Sequence, residues 1–175
     1  GYQELLTQRM KLTQEFQTKL AEIATKHNER ILHCPSNTIS YGITLDSLAL
    51  DGKGKMVPNE NTTTATAEEE DTYLKSISKD ISYFGSILFN RCVSGTRVVP
   101  RGEVKQMGNE TFSGFGSSTN SYPHAYMTAA CAIGLESEEM NDFFQRLDKS
   151  LKEYKTKQKK KYAKQLKEEE EEPQN

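Results

Sequence analysis

Apolar residues return at short, regular steps over the first part of the chain: Leu5, Met10, Leu12, Phe16, Leu20 and Ile23, with His27 in phase. Steps of three to five residues with Gln, Lys and Glu between them predict a long amphipathic helix over roughly 2–27. The stretch "CPSN" breaks the pattern, because Pro35 disfavours helix at the residue before it. The period then changes to two. Ile39, Tyr41, Ile43 and Leu45 alternate with Ser40, Gly42 and Thr44, which predicts a half-buried strand.

Residues 51–71 have almost no large apolar side chains, so they cannot bury enough surface to offset their ordering entropy; they are expected to form a disordered insertion. Leu74, Ile77, Ile81, Phe84 and Leu88 restore a helical stripe that ends near Arg91. A short strand is expected at 97–99, stopped by Pro100 and Gly102. Residues 108–123 are rich in Gly, Ser, Asn and Thr and are expected to be mostly loop. From Ala125 to Ile133 the alternation favours a strand, although small residues on both faces leave a helix open. Ser137 with Glu138 and Glu139 then provides the cap and acidic first turn of a last helix. Its apolar face is Met140, Phe143, Phe144, Leu147, Leu151 and Tyr154. The order of elements is that of an α+β fold, a small sheet bracketed by two long helices. The expected divisions are a linking helix over 1–30, an α+β domain over 31–155 and a charged tail over 156–175.

The chain has 175 residues, which suits one modest core, and 27% of them are charged. The net charge of −2 does not mark a nucleic-acid binder, but its distribution is uneven. Nine lysines lie between Lys149 and Lys167, with Glu153 as the sole acid among them, and five glutamates follow from Glu168 to Glu172. Three widely spaced cysteines, Cys34, Cys92 and Cys131, form no disulfide framework and suit a reducing compartment. No apolar run approaches the roughly 20 residues of a membrane span. The chain opens at Gly1 directly into a helical pattern, which reads as a piece of a longer protein.

Candidate chemistry is sparse. No pair of His or Cys has the short spacing of a zinc site, so no metal is expected. Cys92 has no partner identifiable from sequence, and "SGFGSSTNS" lacks the Gly-Lys-Ser/Thr ending of a phosphate-binding loop. The lysine run reads either as a cationic helix that tracks phosphates or as a solvated tail. Arg91 stands at a helix end. Its fork of donors suits a guanine edge or a phosphate, and the helix dipole alone would also favour an arginine there.

The blocks "LFNRCVSGTRVVPRG", "TFSGFGSSTNSYPHAYMTAACAIG" and "FFQRLDKSLK", preceded by "GYQELL" and "NERILHCPSNTIS", resemble the C-terminal region of the O-phosphoseryl-tRNA(Sec) selenium transferase family. The likeness spans nearly all of residues 1–155 apart from 51–71. It implies the small C-terminal domain of a pyridoxal-phosphate enzyme of the aspartate-aminotransferase fold type. Such an enzyme converts O-phosphoseryl-tRNA(Sec) to selenocysteinyl-tRNA(Sec) with selenophosphate as donor, as a cytoplasmic homo-oligomer, a tetramer in the family. The Schiff-base lysine and the cofactor phosphate loop belong to the family's upstream part. No residue here is therefore expected to be catalytic or to hold pyridoxal phosphate, and the piece alone should be inactive. Arg91 matches the family arginine that contacts the discriminator base of tRNA(Sec). A family lysine on the last helix falls at Thr156, so the flanking Lys155 and Lys157 become the expected backbone contacts. Arg97 also meets a family arginine, with a structural role. The rival readings are the C-terminal domain of another enzyme of this cofactor fold and a helical protein-interaction module.

Overall fold

A computed structural model describes residues 1–48 and 80–171. Its first element, α1 (Tyr2–Lys26), ends within one residue of the periodicity's limit. The stripe that is buried is Leu12, Phe16, Leu20 and Ala24, a strict four-residue repeat, while Leu5 and Met10 stay exposed. Two short strands follow, β1 (Ile31–Leu32) and β2 (Ser40–Thr44), then a single 3-10 turn, Asp46–Leu48. The expected insertion at 51–71, and with it Leu74 and Ile77, lies outside the described residues. Helix α2 is described over 80–90, and its Ile81, Phe84 and Leu88 are fully buried, as the stripe requires.

The rest of the chain gives β3 (Thr96–Val99), β4 (Val104–Met107), β5 (Glu110–Ser113), β6 (Tyr126–Ala130) and α3 (Ser137–Glu171). The main sheet has the order β1-β2-β6-β3, antiparallel throughout, with Ile43 opposite Met127 and Met127 opposite Val98. Within 125–133 the strand reading holds for Tyr126–Ala130, while Ile133 lies in a turn: the small residues of β6 let it run between two neighbours, and Met127 and Ala129 point into the core. Residues 108–123 are mostly loop, as expected, with one exception. Residues 110–113 pair with 104–107 as a hairpin whose two-residue turn is Gly108-Asn109. Gly108 has φ +63°, the left-handed value that a type II′ turn needs at its first central residue.

The inner face of the sheet, Tyr41, Ile43, Met127 and Ala129, packs with both long helices in one cluster. Phe16 sits at its centre, 6.2 Å from the Tyr41 ring, 5.7 Å from Phe143 and 4.9 Å from Phe144. The two long helices therefore share one face of the sheet and do not bracket it as expected, because both bury their stripes in the one cluster on that face. They also run in the same direction, because Lys19 bonds Asn141 at 2.7 Å and Lys26 bonds Asp148 at 2.8 Å, seven residues further along each helix. Asp148 also meets His27 at 2.7 Å. Burial alone would raise the Asp148 pKa, but the hydrogen bonds from Lys26 and His27 more than offset it and hold the carboxyl below its usual range. Helix α2 runs the opposite way along α3, from Asp80 near Lys161 to Cys92 near Arg146. Since α1 stops at Lys26, α3 continues past its end, and the lysine-rich run after Tyr154 is helical to Glu171.

Candidate nucleic-acid interface

Arg91 occupies the C-cap of α2, and the backbone around it forms a Schellman motif. Val93 N–H donates to Leu88 O at 2.9 Å and Cys92 N–H to Phe89 O at 3.0 Å, the two bonds that define that motif. The position after the cap needs a left-handed residue, and Cys92 supplies it at φ +56° where glycine is usual. The apolar contact that accompanies the motif is made by Val93 and Leu88, both in the core. The sequence Leu-Phe-Asn-Arg-Cys-Val thus stops the helix at Arg91 and fixes its backbone to buried side chains.

The side chain is fixed as well. Its Nη1 donates to Glu153 Oε1 at 3.2 Å and its Nη2 to Glu153 Oε2 in a closer contact. Two parallel bonds of this kind are the strong, geometrically specific form of an arginine–carboxylate pair. The Arg91 bond holds the Glu153 carboxyl below its usual pKa against the opposing effect of desolvation, and the charges of Arg91, Lys149 and Lys157 act in the same direction as the bond. Glu153 precedes Tyr154, which is buried in an edge contact with Phe84 and donates its hydroxyl to Asp80 O at 2.7 Å. Both partners of the pair are therefore carried by packed helices.

The three expected contact residues separate here. Lys157 is exposed, one turn beyond Glu153, so it shares the Arg91 surface. Lys155 does not. Its stem is half-buried and its ammonium donates to His27 O at the C-terminus of α1. Burial depresses its pKa, with Glu29 opposing that shift and Lys159 adding to it. This ammonium caps α1 where the helix dipole is negative, so it is committed to the fold. Sequence reasoning missed this, although a signal was present: Leu147, Leu151 and Lys155 continue one buried stripe at four-residue steps.

Glu29 was also missed. It is only 6% exposed and accepts bonds from Thr44 Oγ1 at 2.5 Å, from Ser47 N–H at 2.8 Å and from the Ser47 hydroxyl. Burial is the largest influence on it and raises its pKa despite those bonds. On the opposite face of the sheet, Arg30 Nη2 lies 2.7 Å from His124 Nε2, and His124 Nδ1 lies 2.6 Å from Asp46 Oδ2. Arginine is always a donor, so His124 accepts at Nε2 and donates from Nδ1. Arg97 stands exposed on that same face, where its charge acts on the Tyr126 hydroxyl. Arg97 and Arg91 are thus on different surfaces. Among the described residues no group of three or more His, Cys, Asp and Glu is placed to hold a metal ion. No helix there is long and apolar enough to cross a membrane.

The sequence model of the family described as O-phosphoseryl-tRNA(Sec) selenium transferase, SepSecS, matches residues 51–152, more than half of the chain. Among curated proteins, an O-phosphoseryl-tRNA(Sec) selenium transferase of Dictyostelium discoideum is 32% identical over 152 residues, covering 85% of this chain and 29% of that protein. One of Caenorhabditis briggsae is 30% identical over 134 residues, 75% of this chain and 22% of its own length. Among solved structures, an archaeal O-phosphoseryl-tRNA(Sec) selenium transferase aligns with TM-score 0.56 and 17% identity over 85% of this chain and 24% of its own, a likeness of fold. The chain belongs to the O-phosphoseryl-tRNA(Sec) selenium transferase family and spans less than a third of the length of these relatives.

Proposed function

We propose that this chain is the C-terminal, tRNA-contacting domain of an enzyme of selenocysteine biosynthesis, one that acts on O-phosphoseryl-tRNA(Sec) with selenophosphate as donor. Family membership supports the substrate class. The observation that carries the local role is Arg91: a guanidinium fixed at a helix end, partly exposed, beside a helix that bears most of the chain's lysines. In this reading Arg91 recognises the discriminator base, for which two parallel donors fit guanine O6 and N7. Lys157 and the later lysines of α3 follow the phosphates, each adding a salt-dependent, sequence-independent increment. Lys155, expected beside Lys157, takes no part, because its ammonium is committed to α1.

The family's resemblance implies pyridoxal phosphate as cofactor, which in such enzymes serves as an electron sink. The described residues do not fit it. The half-buried Lys155 is engaged by a carbonyl, and Lys19, Lys26 and Lys161 are surface partners of Asn141, Asp148 and Asp80. The reading therefore assigns cofactor and chemistry to another part of the enzyme, which we take to be a cytoplasmic homo-oligomer. Titration of the full-length enzyme with tRNA(Sec) carrying its own or a changed discriminator base tests the proposal. Arg91→Ala should weaken binding of the natural tRNA by about 1–3 kcal/mol, the range for one good bidentate base contact. Equal losses for both bases would make Arg91 a phosphate or packing residue and overturn its assignment.

A further inference from the structure

Glu153 is an anomaly in the sequence, a single acid inside a run of nine lysines, and the structure puts it under the one arginine that the proposed function needs. An anion at an anion-binding surface weakens that surface unless it does something else. The geometry of the pair shows what. A guanidinium has five N–H donors, arranged as an end-on edge, Nη1 with Nη2, and a side-on edge, Nε with Nη2. Glu153 takes the end-on edge with both of its oxygens. Among the described residues nothing takes the side-on edge, which has two parallel donors at the spacing of guanine O6 and N7.

We propose that Glu153 is a specificity-determining residue that braces Arg91, neutralising its charge and fixing its plane so that the free edge reads a guanine instead of gripping any phosphate. The inference rests on the reading of Arg91 as the base-contacting residue. An unbraced arginine is a mobile, fully charged fork that meets phosphate oxygens from many directions. Braced end-on, it has lost most of its attraction for a bare phosphate but keeps one oriented edge. The brace is stiff from both sides. Arg91 is backed by the Schellman motif at Val93 and Leu88, and Glu153 is adjacent to Tyr154, whose hydroxyl is tied to α2 at Asp80 O. Lys149 and Lys157 flank Glu153 by one turn on either side and lie close enough to influence its charge, so the phosphate contacts stay next to the reader without occupying it.

The test compares the full-length enzyme with its Glu153→Gln, Arg91→Ala and doubly substituted forms. The probes are two acceptor-stem RNA hairpins that differ only in having guanine or adenine as the unpaired discriminator base. Glutamine keeps the size of Glu153, and its partly exposed position tolerates the change, which a thermal melt checks. The expected result for Glu153→Gln is tighter binding of both hairpins with a steeper salt dependence. The ratio of guanine to adenine affinity should fall about five-fold or more, the low end of what a bidentate base contact confers. In the Arg91→Ala background the same change should leave the ratio unaltered. If Glu153→Gln keeps the full ratio while Arg91→Ala loses it, the brace is wrong and the base-reading role of Arg91 stands. If Arg91→Ala itself keeps the ratio, the underlying reading fails and the brace with it.

Discussion

Lys155→Met, set beside Lys157→Met, separates a lysine that holds the fold from one proposed to meet RNA. The substitution keeps an unbranched apolar stem and removes the ammonium that donates to His27 O. A hydrogen bond from a charged donor contributes about 1.5–3 kcal/mol, and a cation at a helix C-terminus about 0.3–1 kcal/mol, partly the same energy counted twice. Two features reduce the loss. The His27 carbonyl keeps its bond from Ser47 Oγ at 3.0 Å, so it is not orphaned. Burial already disfavours the charged ammonium, so its removal recovers part of a desolvation cost. The net expectation is a loss of about 1–2 kcal/mol, which at roughly 2–4 °C per kcal/mol for a chain of this size lowers Tm by about 2–8 °C. Lys157→Met, an exposed change, should stay within about 0.5 kcal/mol of the parent. RNA titrations should show the reverse, with the salt slope lowered by about one unit for Lys157→Met and unchanged for Lys155→Met. Calorimetry and salt-dependent binding on the same two proteins decide it. An unchanged Tm with a reduced salt slope for Lys155→Met would refute the assignment of Lys155 to the fold.

Two further changes probe the frame around the site. Glu29 has its pKa raised by burial above the ordinary 4.5, so between that value and the raised one the native state holds a proton that the unfolded chain has released, and stability falls as pH rises through the window. Glu29→Gln should flatten that fall, measured as the urea midpoint across the window; an equal slope in both proteins would show that Glu29 is not its source. Cys92→Gly should raise stability by about 0.5–1 kcal/mol, because relief of a left-handed backbone outweighs the extra entropy of glycine in the unfolded chain. A lower melting temperature for that variant would mean that the exposed Cys92 side chain makes a contact that matters.

The parts of the fold that could be read in the sequence are those with a long, repeated signal. Helix α1, the described end of α2, the start of α3 and strands β2 and β6 each bury a stripe, and burial is what their periodicity encodes; β3 was marked instead by its β-branched pair and the Pro100 that stops it. The misses have the opposite character. Strand β1 is two residues long, too short to show any period, and is defined by its pairing with Ile43 and Gly42. The β4–β5 hairpin is exposed on both faces, so it has no hydrophobic contrast to display; its one cue was the Gly108-Asn109 pair, which was absorbed into a run of polar residues.

At the candidate site the difficulty was phase, not composition. A lysine run says that α3 is cationic but not which lysine faces which neighbour, and the answer depends on a rotation of 100° per residue. Lys155 lies four residues after Leu151 and inherits its inward direction; Lys157, two residues later, is turned about 200° away and is exposed. Because α3 runs parallel to α1 and outlasts it, the inward direction at 155 meets the carbonyl end of α1, a place that attracts an ammonium. At 151 the same direction meets the apolar cluster, and the residue is leucine. One stripe therefore changes from leucine to lysine where it leaves the apolar cluster and meets a helix end. The lysine that continues the apolar stripe belongs to the fold, whereas Lys157, out of phase with it, stays exposed.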